Sequence, residues 1–284
     1  MKIVITGYKG FVASHTIPLI EEKGLEWVGV DIKEGMDICN PQDWKHLVDE
    51  GDKIFHLAAI ARFADADNDP AEAWRTNVGG TAMVLDVARE RKAERVVYSS
   101  TGSALMPVWY NPIREATSDL KGNSHYGFSK RMAEEVFKLY PEVPFVILRY
   151  GHLYGEGKIG HGAINSFLER MERGLKPVIY GGGQSNEFCY VKDVAQANVR
   201  ALETEFINDV YNVGYGKDYT IQEVYDIINK VLDTNIEAEY KEQRTVDAPF
   251  FKYDIGKIKR CLGYEPQWDL EAGIRDMIHK EVAK

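Results

Sequence analysis

Hydrophobic residues in the first half of the chain fall into short β-branched runs separated by longer stretches where they recur every three or four positions. The runs at residues 2–6, 27–31, 53–57, 95–99 and 145–149 are apolar through their centres, the pattern of strands covered on both faces. Between them, residues 11–23, 41–48, 71–91 and 124–140 carry helical spacing. Strands of this kind alternating with such helices predict βαβ units, and hence an α/β protein with a doubly wound parallel sheet. From about residue 150 the pattern changes. Glycines crowd at 151, 155, 157, 160 and 162 and again at 181–183, and the apolar runs become short and irregular. We expect residues 1–160, with returning segments near 177–200, to form the sheet domain. Residues 161–284 are expected to form most of a smaller C-terminal, substrate-facing lobe.

Composition narrows the partners. Lys and Arg total 35 against 44 Asp and Glu, a formal charge of −9 that disfavours phosphate backbones and anionic lipid. Nucleic acid and membrane are therefore poor first partners. No apolar run approaches the roughly 18–20 residues of a membrane helix. The chain enters a strand-like run at once, which leaves no room for a signal peptide. Cys39, Cys189 and Cys261 are too few and too far apart for a disulfide framework or a metal site, so we expect reduced thiols in the cytoplasm and no metal.

Directly after the first run comes Thr6-Gly7-Tyr8-Lys9-Gly10-Phe11-Val12-Ala13. Gly7 and Gly10 stand where a strand must turn sharply into a helix and let its backbone approach a pyrophosphate. Free N–H groups at the helix start, with the positive end of its dipole, then face the anion. Any strand–helix turn favours glycine, so the context matters. Asp31 closes the second run 21 residues beyond Gly10, where a carboxylate accepts hydrogen bonds from the adenosine ribose and repels a 2′-phosphate. This favours NAD over NADP in a Rossmann-type domain, with Lys33 keeping the alternative open.

Tyr126 and Lys130 are four residues apart at the start of a predicted helix and share one face. A free phenol, with a pKa near 10, is a poor base at neutral pH. An ammonium roughly 4 Å away in a medium of effective dielectric about 20 contributes about 4 kcal/mol toward the phenolate. That equals roughly three pKa units, enough for acid–base work near pH 7. Ser99, Ser100 and Thr101 place hydroxyls at the end of a strand, where such sheets open their crevices.

These segments resemble the extended short-chain dehydrogenase/reductases, within them the NAD-dependent epimerase/dehydratase family and especially its nucleotide-sugar epimerases. The resemblance runs nearly end to end. It includes Thr6–Ala13, Asp37-Ile38, Phe55-His56-Leu57-Ala58-Ala59, Thr76-Asn77-Val78-Gly79-Gly80-Thr81, Ser99-Ser100-Thr101 and Tyr126–Lys130. Leu148-Arg149-Tyr150, Leu153-Tyr154-Gly155, Phe188–Val194 and Leu262-Gly263-Tyr264 continue it. It implies that Thr101 hydrogen-bonds the reacting substrate oxygen, that Tyr126 is the acid/base, and that Lys130 holds the nicotinamide ribose and lowers the phenol's pKa. Gly7, Lys9, Gly10, Phe11, Val12, Asp31, Ile32, Asp37, Ile38, Leu57, Ala58, Ala59, Ser99, Ser100 and Tyr150 would meet the cofactor. Asn77 would support the loop beside it. The substrate would meet Gly151, His152, Asn186, Phe188 and Arg244 as well as Thr101 and Tyr126. A homodimer packed through the helices at 71–91 and 124–140 is also implied.

The departures fall on the substrate side. Arg149-Tyr150-Gly151-His152 carries a histidine where relatives often have asparagine near the substrate phosphates. Asn186 stands where epimerases commonly have an arginine that clamps a diphosphate. A second expected arginine survives as Arg244, in Arg244-Thr245-Val246-Asp247. His56 reads as a satisfied core histidine, His125 as packing or capping, and His161 as lying in the substrate loop. The function expected is an NAD-dependent sugar-nucleotide epimerase that works through a transient keto-sugar, on a UDP-linked or other nucleotide-linked sugar. A net dehydrogenase or keto-reductase would use the same three residues, and a non-catalytic NAD sensor would need none of them. A 4,6-dehydratase is disfavoured because Gly102-Ser103 replaces the Asp-Glu pair those relatives carry after the threonine.

Overall fold

The computed structural model describes residues 1–102, 112–116, 124–157, 162–243 and 250–281. Strands β1 (Ile3–Thr6), β2 (Trp27–Val30) and β3 (Lys53–His56) and helix α1 (Phe11–Glu22) open the chain. Short helices α2 (Phe63–Asn68) and α3 (Pro70–Trp74) lead into α4 (Thr81–Arg91), followed by β4 (Arg95–Thr101), α5 (His125–Phe137) and β5 (Phe145–Tyr150). Then come β6 (His152–Tyr154), α6 (Ala163–Glu172), β7 (Val178–Tyr180), β8 (Ser185–Tyr190), α7 (Val191–Glu203) and β9 (Asp209–Val213). The chain closes with β10 (Asp218–Thr220), α8 (Ile221–Leu232), β11 (Glu239–Lys241), β12 (Phe250–Phe251), α9 (Gly256–Leu262) and α10 (Leu270–Glu281).

Among the described residues, six parallel strands form the main sheet in the order β2-β1-β3-β4-β5-β9. Alternate strand residues feed two cores. Ile3, Ile5, Phe55, Val97 and Leu148 pack toward α1 and α7, and Val4, Ile54, Val96, Tyr98 and Ile147 toward α4 and α5. Each such side chain contributes about 1.5–3 kcal/mol on full burial. Because β2 lies on one side of β1 and β3 on the other, the winding reverses between β1 and β3. The crevice opens above their C-terminal ends, at Gly7 and Leu57.

The predicted strands are present, and two helices differ. Residues 41–48 form two 3₁₀ turns, Pro41–Asp43 and Lys45–Leu47, because the completely buried Trp44 between them anchors the segment more strongly than its helical spacing does. The stretch 71–91 is broken by a π-helical segment, Arg75–Gly80. Gly80 there lets Ile38 pack against its backbone, since an added Cβ would lie 2.5 Å from Ile38 Cδ1. Beyond the segments near 177–200, a further strand, β9, joins the main sheet. Residues 177–200 supply β7, β8 and most of α7, and α7 packs on α1. Outside the main sheet, β8 is bordered by β10, β12 and β6, while β7 pairs with β11 over a third core on α6 and α8.

Candidate active site

The turn from β1 into α1 is shaped by close approach. Gly7 has φ +73°, and a Cβ there would lie 2.7 Å from the Ala58 backbone nitrogen. Only glycine takes that conformation at little cost. Gly10 donates to the Gly7 carbonyl at 2.9 Å and precedes α1, whose start has no side-chain cap and no acidic residue in its first turn. The open N–H groups of that turn are what an anion needs. Asp31 grips both neighbouring loops: one oxygen accepts from Lys9 N and the other from Lys33 N, each at 3.0 Å. Each carboxylate oxygen keeps a further lone pair for a ribose hydroxyl. The uncapped helix, the glycine cradle and this carboxylate together fit a dinucleotide. Lys9 turns its ammonium to Glu34 at 2.6 Å, a partner the sequence did not point to.

Other expected cofactor residues are engaged by the protein itself. Asp37 accepts from Cys39 N at 2.9 Å and from Arg75 at 3.0 Å, Ile38 is buried against Gly80, and Ile32 is exposed. Ser99 donates to the His56 carbonyl at 3.2 Å, Ser100 donates to Glu134, and the Tyr150 hydroxyl donates to Asn198 at 2.6 Å. Asn77 does support the loop beside the crevice. Its side chain accepts from Ile60 N at 2.8 Å and donates to Ile60 O at 3.0 Å and to Ser129 Oγ at 2.9 Å. That loop carries Leu57, Ala58 and Ala59, all half-buried, along the edge of the crevice.

Thr101 ends β4, and Tyr126 opens α5 behind an Ser124 cap that accepts from Gly127 N at 3.0 Å. The Thr101 side chain lies close enough to the Tyr126 hydroxyl to lower its pKa. Phe63, which sequence reasoning missed, lies edge-on to the Tyr126 ring with centroids 5.3 Å apart. Burial raises the Tyr126 pKa above its ordinary value, with Thr101 pulling the other way. Lys130 is only 3% exposed, and its ammonium sits 4.2 Å over the Tyr98 ring. Burial pushes its pKa down to about 7, against an upward pull from Glu134. The expected depression of the phenol by this ammonium is therefore corrected: burial raises the Tyr126 pKa, and the group that lowers it is Thr101, not Lys130.

His56 is a core histidine, as expected. Its ring nitrogens bond Thr6 Oγ1 at 2.8 Å and Thr81 Oγ1 at 3.1 Å, and burial drives its pKa down to about 3. His125 is exposed at the start of α5. Between β6, β8 and α6 lies a cavity of about 330 Å³ lined by His152, Asn165, Tyr180, Asn186 and Phe188 among others. His152 stands edge-on to Phe251 with centroids 4.8 Å apart. Gly151 lies beside it, with Tyr253 the nearest side chain. Arg244 and His161 lie outside the described residues.

Residues 3–214 match the model of the NAD dependent epimerase/dehydratase family. The chain belongs to that family. A Methanocaldococcus jannaschii protein named provisionally as a UDP-glucose 4-epimerase is 30% identical over 305 residues, spanning 98% of this chain and 97% of that one. UDP-glucuronic acid decarboxylase 1 of Arabidopsis thaliana is 26% identical over 98% of this chain and 69% of its own length. The crystal structure of UDP-glucose 4-epimerase from Thermotoga maritima with UDP-glucose superposes with a TM-score of 0.91 at 28% identity, covering 99% of this chain and 100% of that one. The six-stranded parallel sheet agrees with the Rossmann-type fold of that structure. No helix among the described residues is long and apolar enough to cross a membrane.

Proposed function

We propose that this protein is an NAD-dependent nucleotide-sugar 4-epimerase that inverts a hydroxyl-bearing carbon through a transient keto-sugar. The observation that carries this reading is the placement of Thr101 at the end of β4 and of Tyr126 and the buried Lys130 on the first turns of α5, with the Gly7–Ala58 cradle at the neighbouring strand ends. The α1 N-terminus and Asp31 would hold NAD, which would supply a reversible hydride acceptor when bound. The proton is this chain's task. Thr101 orients the substrate hydroxyl toward Tyr126 Oη, which takes the proton and later returns it. Lys130 presents a cation behind the phenol and limits the cost of the charge that develops there. The cavity between β6, β8 and α6 accepts the nucleotide through uncharged polar groups such as Asn165 and Asn186 and the rings of Tyr180 and Phe188. Similarity to the UDP-glucose 4-epimerase supports a UDP-linked sugar.

The test is proton NMR of UDP-glucose and UDP-galactose incubated with the protein and NAD. Interconversion with no lasting change in absorbance at 340 nm is expected. Tyr126→Phe should lose about 10²–10⁴-fold in turnover while retaining NAD. Stoichiometric accumulation of NADH would make the protein a net dehydrogenase and overturn the reading.

A further inference from the structure

Glu134 has not entered the chemistry above, yet it is 3% exposed and ionic. It lies one turn beyond Lys130 and two beyond Tyr126, on the same face of α5. Its carboxylate accepts Arg149 in a forked pair, with Nε 2.9 Å from one oxygen and Nη2 2.6 Å from the other. Arg131 Nη1 donates to it at 2.9 Å, and Ser100 Oγ also donates to it. Ser100 immediately precedes Thr101 and stands opposite Arg149 in the β4–β5 register. One carboxylate thus joins the strand of Thr101, the neighbouring strand and the helix of Tyr126.

We propose that Glu134 is a positioning residue of this site: its carboxylate keeps the Lys130 side chain cationic and clamps the Tyr126 helix to the strand that carries Thr101. The charges around Lys130 leave it no other nearby anion among the described residues that face it. His56 from β3 is neutral and is itself disfavoured as a cation by Lys130. Tyr98 from β4 lies under the ammonium with its pKa far above the ordinary value. Tyr126 is a neutral phenol. The segment before α4 and the start of α4 contribute uncharged Asn77 and Thr81, through Ser129 and His56. Arg131 and Arg149 add two more positive charges on Glu134, and Glu135 relieves only the outer side of Arg131. Without the Glu134 charge, Arg131 and Arg149 would lose the buried carboxylate they share, and Lys130 would lose the anion that favours its cationic form. Lys130, the one that can release a proton, would do so.

The test titrates Lys130 directly, in the full-length protein with bound NAD, by NMR of ¹³Cε-lysine assigned through Lys130→Arg. Glu134→Gln preserves the size of the side chain and removes its charge. The Lys130 midpoint should fall by about one to three pH units. The alkaline limb of the turnover profile should move to lower pH by the same amount. Ser100→Ala, which removes a neutral hydrogen bond, should leave the midpoint in place. If Glu134→Gln does not fold, Glu134→Asp, with the charge drawn back by one methylene, should lower the midpoint by at least about half a unit. A midpoint unmoved in whichever of these variants folds overturns the proposal, as does a turnover plateau that drops without displacement of the alkaline limb. The inference rests on the roles given to Tyr126 and Lys130, but its titration needs no turnover. A displaced midpoint with no nucleotide sugar converted would sink the epimerase reading and leave the charge assignment standing, and the converse would do the opposite.

Discussion

Replacing Asn77 with alanine tests whether the loop over the crevice is held from below. The amide is 1% exposed and makes three hydrogen bonds, two to Ile60 and one to Ser129. Truncation leaves the half-buried Ile60 N–H and C=O without this partner and removes one of the two hydrogen bonds of the Ser129 hydroxyl, which still donates to Tyr126 O. At about 1 kcal/mol for each bond, the loss is about 3 kcal/mol. For a chain of this size that corresponds to a melting temperature lower by about 6–12 °C. The loop reaches from Ala58, against which Gly7 packs, toward Phe63, which lies on the Tyr126 ring. Its release should therefore weaken NAD binding by about tenfold or more, equivalent to about 1.4 kcal/mol. Asn77→Asp keeps the acceptor for Ile60 N but loses both donors, and should fall between alanine and the parent. Urea denaturation measures the first quantity and calorimetric titration with NAD the second. An alanine variant within about 0.5 kcal/mol of the parent in stability, with unchanged NAD affinity, would refute the reasoning.

Gly7→Ala imposes a left-handed conformation that costs about 1–2 kcal/mol and drives a methyl group to 2.7 Å from the Ala58 backbone nitrogen. Titration calorimetry should show NAD binding abolished or severely weakened in a protein whose circular dichroism is native. The neutral His56 makes stability depend on pH. Its folded pKa, about 3, lies below its ordinary value of 6.5, so the unfolded chain binds the proton more readily between those values. Its contribution is complete above about pH 6.5 and is lost as the pH falls toward 3. Urea midpoints measured down the acid range should decline less steeply in His56→Gln than in the parent, and identical slopes would show that this histidine does not carry the effect.

The local parts of the site could be read from spacing. Tyr126 and Lys130 share a helix face because 3.6 residues make a turn, and extending that spacing by four residues reaches Glu134. Glu34, Phe63 and Ser129 carried no comparable signal, since they meet Lys9, Tyr126 and Asn77 only after distant segments fold together. The 41–48 and 71–91 stretches diverged for a related reason: burial of Trp44 and close packing at Gly80 overrode helical periodicity.

By itself, the sequence determined the alternation of strands and helices, the glycine turn and the identity of the hydroxyl, phenol and amine. Covalent geometry and local hydrogen bonding decide those features within a few residues. Tertiary structure alone decided that Thr101 acts on the phenol, that the ammonium rests on Tyr98, and that burial raises the pKa of one and lowers that of the other. Charge in a protein interior depends on every group brought within a few ångströms and on the water excluded around it, and neither is written in the order of residues along a chain.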